Sequence, residues 1–311
     1  LTLAKYKKQG RCRRLIATGC LAQRYKDDDG LVNELPEVDA FLGTAACEQI
    51  VNAVENKKLE TLTLFPDPNL RTFQDRDEKR ALLSEHFAFI KVSEGCNRKC
   101  TYCIIPKLRG EQRSRPVDDI VIEAQSLVSD GVKELILTAE NSTDYGQDLA
   151  DDIGFDLVLD RLGQTFAGSE TWVRMLYTHP NTLTPDVIEA VKKQPAICSY
   201  YDVPVQHASS RVLKRMGRPY TKEDLFLLFE TIRNIDPDAA LRTTLIVGFP
   251  GETEEDFNQL LEFIQTVKFD HLGVFTYSDS DDLKSHRLKD HVPDDVAQKR
   301  HDILMAAQAQ I

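Results

Sequence analysis

From about residue 82 onward, short apolar stretches alternate with longer segments whose apolar residues recur every three or four positions. The short stretches are typical of buried strands, and the longer segments of amphipathic helices. Strands are predicted at His86–Ser93, Glu134–Ala139, Thr171–Tyr177, Ser199–Val205, Leu241–Val247 and His271–Thr276. Helices are predicted at Val117–Ser129, Asp156–Phe166, Pro185–Lys193, Lys222–Ile235, Glu254–Val267 and Asp294–Ala309. This alternation predicts an α/β fold of six βα units around a parallel sheet.

The amino-terminal part of the chain has shorter and less regular patterns. Leu15–Gly19 is predicted to form a strand that ends at a tight turn, and Cys47–Asn56 a helix. Charged residues dominate the stretch from Arg71 to Arg80, which is typical of an exposed linker. We therefore expect two domains, residues 1–75 and residues 76–311, with the six βα units in the second.

Composition and charge limit the class of protein. Of the 311 residues 41% are hydrophobic, which suits an ordinary globular core. The sequence has neither an apolar run long enough to span a membrane nor a targeting segment, so we expect a cytoplasmic protein without membrane contact. The formal net charge of -11 is a poor match to a phosphate backbone and a better match to a basic protein partner.

Three cysteines follow the first predicted strand of the second domain. Cys96, Cys100 and Cys103 have the spacing C-x3-C-x2-C, directly where the carboxyl end of a barrel strand is expected to carry chemistry. Thiolates are the usual ligands of iron–sulfur clusters, and three of them leave one iron of a [4Fe-4S] cluster open to a substrate. A structural zinc site completed by Cys198 or a distant histidine is the main alternative. A disulfide framework does not suit a chain of this length without a signal peptide.

The residues after Cys103 narrow the choice. Pro106–Pro116 has the pattern P-x-x-R-G-x-x-R-S-R-P, and together with the cysteine loop it resembles the radical S-adenosylmethionine (SAM) methylthiotransferases. Further matching stretches are Ala17–Tyr25, Pro36–Gly43, Trp172–Pro180, Tyr201–Ala208, Leu241–Glu252 and Leu272–Ser278. The last four are most similar to the branch that modifies an aspartate of a small-subunit ribosomal protein, although the tRNA-modifying branch shares much of them.

The resemblance implies a partial (βα)6 radical SAM barrel preceded by a fragment of an α/β methylthiotransferase amino-terminal domain. Two earlier cysteine-bearing segments and a carboxyl-terminal β-barrel have no counterpart, so the sequence is expected to be truncated at both ends. Cys20 matches the third ligand of a second [4Fe-4S] cluster, which is therefore expected to be incomplete here. Contact with RNA is expected only through the missing carboxyl-terminal domain.

The resemblance also implies that Cys96, Cys100 and Cys103 hold a [4Fe-4S] cluster that binds SAM. A reductant protein such as flavodoxin or ferredoxin supplies one electron, and SAM then yields a 5′-deoxyadenosyl radical. The implied SAM contacts are Tyr102, Glu140, Arg174, Asp202, Gln206, Arg242, Ile246, Val247 and Gly248. Structural roles remain open: cluster shielding for Tyr102, a solvent-facing position for Glu140, ion pairs for Arg174 and Arg242, and a strand end with a Pro-Gly turn for Ile246–Gly248.

The activity implied by the resemblance is the addition of a methylthio group to the β-carbon of an aspartate in a small-subunit ribosomal protein. Two alternatives remain open at this point. One is methylthiolation of a tRNA adenosine, and the other is a non-catalytic module that binds an iron–sulfur cluster or zinc.

Overall fold

The computed structural model describes residues 2–28, 30–55, 61–71, 73, 82, 84–150 and 153–311. The chain divides into two compact units. The first contains Leu1–Asp75 together with Gly95–Asn97 and Ile104–Glu111, and the second contains Arg76–Glu94, Arg98–Cys103 and Gln112–Ile311. Most of the predicted linker from Arg71 to Arg80 lies outside the described residues.

The first unit contains a small parallel sheet. Its helices are α1 (Thr2–Gln9), α2 (Cys20–Arg24), α3 (Leu31–Glu34), α4 (Ile50–Glu55) and α5 (Ile105–Arg109), and its strands are β1 (Ile16–Thr18), β2 (Ala40–Leu42) and β3 (Leu62–Leu64). Strand β2 lies between β1 and β3 and pairs parallel with both. The predicted strand at Leu15–Gly19 is therefore present. The predicted helix at Cys47–Asn56 is a 3-10 turn, Cys47–Gln49, that continues into α4.

The second unit contains the strand–helix alternation. Its strands are β4 (Phe87–Lys91), β5 (Ser93–Glu94), β6 (Arg113–Ser114), β7 (Glu134–Thr138), β8 (Trp172–Met175), β9 (Tyr200–Asp202), β10 (Ala240–Val247) and β11 (His271–Thr276). Its helices are α6 (Val117–Ser129), α7 (Phe155–Thr165), α8 (Pro185–Lys193), α9 (Ser210–Arg215), α10 (Lys222–Ile235), α11 (Glu254–Val267) and α12 (Asp294–Gln308).

Six parallel strands form the scaffold of this unit. They pair in the order β4-β7-β8 and β9-β10-β11, and a bridge between Val173 and Ile197 links the two sheets. Among the described residues no pairing joins β11 back to β4, so the barrel is open. Along β10, buried residues alternate with partly exposed ones, because one face packs on the helices and the other lies on the opposite, concave side. This confirms the predicted partial (βα)6 barrel.

Four predicted strands are too long at their carboxyl ends. The second and third end at Thr138 and Met175 instead of Ala139 and Tyr177, and the structure shows a cause for the first and the fourth. The first splits after Lys91, and β5 turns away to pair antiparallel with β6. The fourth ends at Asp202 instead of Val205, because Pro204 has no N–H to donate and Gln206 adopts a left-handed backbone with φ 71°. Both departures lie where the barrel strands meet the predicted site. The regular pattern of apolar residues does not extend to this part of the chain.

Two helices of the barrel begin with the same reciprocal capping arrangement. In α11 the Thr253 hydroxyl bonds the Asp256 N–H, and the Asp256 carboxylate accepts from the Thr253 N–H. Asp256 is buried and also accepts from Ser209 and Arg211. Burial by itself raises the pKa of Asp256, but the hydrogen bonds from Arg211, Ser209 and Thr253 outweigh it and hold that pKa below its usual range.

Replacing Asp256 by asparagine is expected to lower the free energy of unfolding by about 2 kcal/mol at neutral pH, because charged hydrogen bonds are lost. The folded pKa of Asp256 is depressed, so its contribution is present above the unfolded pKa of about 4 and is lost as the pH falls toward the folded value. Urea unfolding at several pH values measures this, and the deficit of the variant should shrink in acid.

The matched control is Asp224→Asn. Asp224 makes the same capping box with Thr221 at the start of α10, but in an exposed position. Its loss is expected to cost about 1 kcal/mol or less. Equal losses at the two positions would contradict the role assigned to the Arg211 and Ser209 contacts.

Candidate active site

The three cysteines of the C-x3-C-x2-C loop form no disulfide bond, and each is partly exposed. Cys96 belongs to the first unit, and Cys100 and Cys103 belong to the second. In the described part of the chain, no three His, Cys, Asp or Glu side chains converge as the ligands of a single metal ion. A cubane cluster does not need such convergence, because each thiolate binds a different iron atom.

Glycine is required where the loop begins. Gly95 has φ +81°, and a Cβ atom there would lie 2.1 Å from the carbonyl oxygen of Glu111. Next to it, the Cys96 N–H donates to the Gly110 carbonyl at 3.1 Å. The segment that follows Cys103 therefore packs against Cys96. This close approach of the two backbones explains why positions 95 and 110 are glycines.

Tyr102 and Ile246 are brought together on one apolar cluster. The cluster consists of buried Val212, Met216 and Phe249, and both Tyr102 and Ile246 pack against it. The Tyr102 and Phe249 rings meet edge to face with their centroids 6.3 Å apart. Two of the implied SAM contacts, far apart in sequence, thus lie on the same surface.

Ile246 and Val247 are neighbours on β10, so their side chains lie on opposite faces of the sheet. Val247 is fully buried in the main core between sheet and helices, whereas Ile246 lies on the other face. Of these two residues, Ile246 is therefore the one available for a ligand inside the barrel.

Arg218 fixes the hydroxyl group of Tyr102. Its Nε and NH2 groups donate to that oxygen at 3.0 and 2.6 Å. Burial raises the pKa of Tyr102 far above its usual value, and the guanidinium only partly opposes this. The phenol is therefore neutral, and the charge of Arg218 is not cancelled by it.

Asp202 ends β9 next to Arg242 on β10. The closest ion-pair distance, from Arg242 NH1 to Asp202 Oδ1, is 3.4 Å, and the Tyr177 N–H donates to Oδ2 at 3.0 Å. Oδ1 is buried without a hydrogen bond in the part of the chain that the structure describes. Burial raises the pKa of Asp202, against the opposing effects of Tyr177 and Arg242. This acceptor therefore has capacity for a ligand hydroxyl group.

Two residues at the carboxyl ends of the strands hold left-handed backbone conformations. Tyr177 has φ 58° and Gln206 has φ 71°. Gln206 is held on both sides, since its N–H donates to Thr244 and its carbonyl accepts from Ile246. Side chains other than glycine adopt this conformation only where the surrounding structure enforces it, and such positions cluster at functional sites.

Glu140 and Arg174 have protein partners. Lys91 approaches Glu140 at 3.0 Å and Glu94 at 2.6 Å. Arg174 pairs with Glu134 at 2.6 Å and lies over the Tyr200 ring at 4.7 Å. The ion pair left open for Arg174 is therefore present, and contact of either residue with SAM stays a prediction.

The turn after β10 is organised by one buried carboxylate. Glu252 accepts from the N–H groups of Gly248 and Phe249, and its other oxygen lies 3.2 Å from Arg300. The same oxygen is 3.9 Å from His207 Nε2. This network holds Gly248 beside Ile246 in a fixed conformation.

The sequence did not single out several residues that the fold places around the cysteine loop. Arg98, between two of the cysteines, pairs with buried Asp144 in a bidentate arrangement, with Nε to Oδ2 at 2.8 Å. His179 is buried after β8, and its ring meets Tyr220 with centroids 5.6 Å apart. The position of His179 shortly after a predicted barrel strand could have marked it as a candidate site residue. Nothing in the sequence indicated that it lies near Arg98.

In the first unit, Cys20 begins α2, and Arg109 on α5 donates from Nε to its sulfur at 3.1 Å. Cys12 and Cys47 bond instead to nearby carbonyl groups, those of Arg14 and Thr44.

The residues present suit a SAM-binding cluster. Three cysteines without disulfide bonds lie on one loop, and Tyr102, between the last two of them, packs on an apolar surface. The buried Oδ1 of Asp202 accepts no hydrogen bond in the described part of the chain and lies 3.4 Å from Arg242. None of the described helices is long and apolar enough to cross a membrane.

Comparison with solved structures supports the fold. Coproporphyrinogen III oxidase (HemN) from Escherichia coli, described as a radical SAM enzyme, matches with a TM-score of 0.54 at 18% identity, covering 72% of this chain and 52% of that one. The radical SAM methyltransferase TsrM from Kitasatospora setae matches with a TM-score of 0.52 at 17% identity, covering 61% of this chain and 36% of that one. The structure of TsrM contains cobalamin and a [4Fe-4S] cluster.

Sequence comparison is more specific. The profile of the Radical SAM superfamily matches residues 90–264. The ribosomal protein uS12 methylthiotransferase RimO of Desulfosudis oleivorans is 50% identical over 313 aligned residues, covering 100% of this chain and 70% of the relative. The RimO proteins of Clostridioides difficile and Geobacter sulfurreducens are 43% and 42% identical, each covering 100% of this chain and 69% of the relative. The chain therefore belongs to the radical SAM superfamily and, within it, to the RimO family of methylthiotransferases, as the cysteine loop and its continuation predicted.

Proposed function

We propose that this protein adds a methylthio group to the β-carbon of an aspartate in ribosomal protein uS12. The observation that carries the proposal is the cysteine loop, whose Tyr102 shares an apolar surface with Ile246 at the carboxyl ends of the barrel strands. The relatives that match the whole chain are named for uS12, and the net charge of -11 suits a basic protein target.

Cys96, Cys100 and Cys103 would hold a [4Fe-4S] cluster in this reading. When bound and reduced, the cluster supplies one-electron cleavage of SAM and so the radical that removes a hydrogen atom. The chain itself binds and orients SAM and excludes water and competing hydrogen donors. Tyr102 and Ile246 provide the apolar surface for the adenine ring, and the neutral phenol of Tyr102 is held in place by Arg218.

The polar groups of SAM would lie along the carboxyl ends of the strands. Asp202, whose buried Oδ1 accepts no hydrogen bond among the described residues, suits a ribose hydroxyl. Gln206, held in a left-handed backbone conformation beyond the end of the same strand, is a second candidate for this contact. Arg242 is the better candidate for the SAM carboxylate, because its contact with Asp202, at 3.4 Å, is longer than the 2.6 Å pairing of Arg174 with Glu134. Glu140 would serve the amino group beside Lys91.

Cys20 would provide one ligand of a second cluster that delivers sulfur, with Arg109 as its hydrogen-bond donor. A flavodoxin or ferredoxin would supply electrons in the cytoplasm. Contact with RNA, in this proposal, belongs to a further domain.

The test is mass spectrometry of purified uS12 after anaerobic reaction with the reconstituted full-length protein, SAM and a reductant. We expect one aspartate to gain the mass of a methylthio group. Unmodified uS12 with a methylthiolated tRNA adenosine in a parallel reaction would instead support the tRNA-modifying alternative.

A further inference from the structure

Two groups with hydrogen-bond donors lie against one aromatic ring beside the cysteine loop. Tyr220 forms the wall, with its hydroxyl fixed on the Val205 carbonyl at 3.1 Å. Against its ring lie His179, with centroids 5.6 Å apart, and the Arg218 guanidinium, 5.9 Å from the ring centroid. Arg98 comes from the loop itself. Both guanidiniums are close enough to His179 to act electrostatically on its ring.

His179 carries a buried donor that has no acceptor. Its side chain is 5% exposed, and Nε2 has no hydrogen-bond partner in the described part of the chain. Nδ1 accepts from the Asn181 N–H at 3.1 Å, so the neutral ring carries its proton on Nε2. Burial, together with the charges of Arg218 and Arg98, lowers the pKa of His179 to about 2. The ring is therefore a neutral N–H donor throughout the physiological range.

Arg218 carries a charge that no carboxylate balances. Its side-chain hydrogen bonds go to the neutral Tyr102 hydroxyl, and across the described ranges it forms no ion pair with Asp or Glu. Arg98 differs, because Asp144 balances it. Asp144 in turn is held by Thr182 at 3.0 Å and Gln147 at 3.2 Å, so this pair is part of the fixed wall. A half-buried cation without a carboxylate counter-ion and a buried N–H donor without an acceptor would both be stabilised by a bound anion.

We propose that Arg218 and the Nε2–H of His179, flanked by Arg98, form a receptor for the side-chain carboxylate of the target aspartate. The inference rests on the proposed function and adds how the target side chain is recognised. In a chain of net charge -11, an acidic side chain is held near the loop only where a local excess of positive charge offsets the overall repulsion. A guanidinium fork and an imidazole N–H match the lone pairs of a carboxylate, and a neutral amide in its place leaves Arg218 unbalanced.

The test uses His179→Phe, which keeps an aromatic ring against Tyr220 and removes the Nε2 donor together with the Nδ1 acceptor of the Asn181 N–H. Binding of uS12 to the reconstituted full-length protein is measured by calorimetry without reductant, so that the readout does not depend on turnover. We expect the dissociation constant to rise about 10- to 100-fold, the value of a hydrogen bond to a charged group. His179→Gln, which returns an N–H donor, is expected to recover part of the loss.

A second arm replaces the target aspartate of uS12 by asparagine. The wild-type enzyme should bind this protein about 10- to 100-fold more weakly than uS12 itself, and His179→Phe should bind the two about equally. Tyr201→Phe is the matched control, since it removes a different buried hydrogen-bonding group, the hydroxyl on Asp236 at 3.1 Å, and should leave both affinities unchanged.

The outcomes separate the possibilities. If His179→Phe weakens binding of SAM and not of uS12, the receptor serves the SAM carboxylate and the inference is overturned. Unchanged discrimination between aspartate and asparagine in His179→Phe overturns it as well. A wild-type enzyme that leaves uS12 unmodified overturns the proposed function first, which is a distinct result.

Discussion

Replacing Cys100 by alanine is expected to abolish formation of 5′-deoxyadenosine and to prevent reconstitution of about four irons per loop. Loss of a group that merely supports a metal ligand typically costs 10- to 100-fold, so loss of a ligand should exceed about 100-fold. The measurement is anaerobic: iron and sulfide are added, the protein is reduced, SAM is supplied, and both product and iron are quantified.

Cys198→Ala is the matched control for this experiment. Cys198 is a free, partly exposed thiol outside the loop, and burial raises its pKa, so it is a poor metal ligand. Its replacement should leave both iron content and product unchanged. Product that persists in Cys100→Ala, or zinc retained by the wild-type protein in place of iron, would remove the basis for cluster chemistry at this loop.

Replacing Gly248 by alanine is expected to lower the free energy of unfolding by about 3 kcal/mol and to remove SAM binding. Gly248 has φ +76°, which costs an L-residue about 1–2 kcal/mol, and overpacking adds about 1–3 kcal/mol. The new Cβ atom would lie 2.4 Å from the Cβ of Ala297 on α12. Relief of this clash shifts the turn that holds Ile246, so affinity for SAM should fall with stability.

Gly131→Ala separates backbone strain from the steric clash. Gly131 also has a positive φ, +101°, but a Cβ atom there meets nothing within 4 Å. Its replacement is expected to cost only the strain, about 1–2 kcal/mol, with unchanged affinity for SAM. Urea unfolding and calorimetry with SAM measure the two quantities. Similar losses at the two glycines would show that α12 does not constrain the turn.

The apolar periodicity alone located the barrel with little error. Helices α6, α8, α10 and α11 begin and end where the pattern predicts, as does strand β11. These elements pack one face on a large common core, so burial imposes the helical or alternating pattern along their whole length. The pattern weakens where a strand leaves the sheet, and there the predicted ends of β4, β7, β8 and β9 were too long.

The candidate site was predictable to the extent that it lies in one local motif. The spacing of Cys96, Cys100 and Cys103 identifies them as candidate cluster ligands, and the residues after them identify the family. The cluster that joins Tyr102 to Ile246 requires chain segments over a hundred residues apart. The pairing of Arg174 with Glu134 joins two neighbouring strands whose residues are 40 positions apart. The sequence left open whether Arg174 meets a ligand or a carboxylate, and packing supplies the carboxylate.

By itself, the sequence determined the order of strands and helices, the cluster-ligand loop and the family, because these depend on spacing within short segments. Tertiary structure alone decided which polar groups remain without partners. Arg98, His179 and Arg218 lie far apart in the sequence, and no motif around any of them links it to the other two. The loops that follow the parallel strands come together at one edge of the barrel, where burial leaves the Nε2–H of His179 without an acceptor in the described part of the chain.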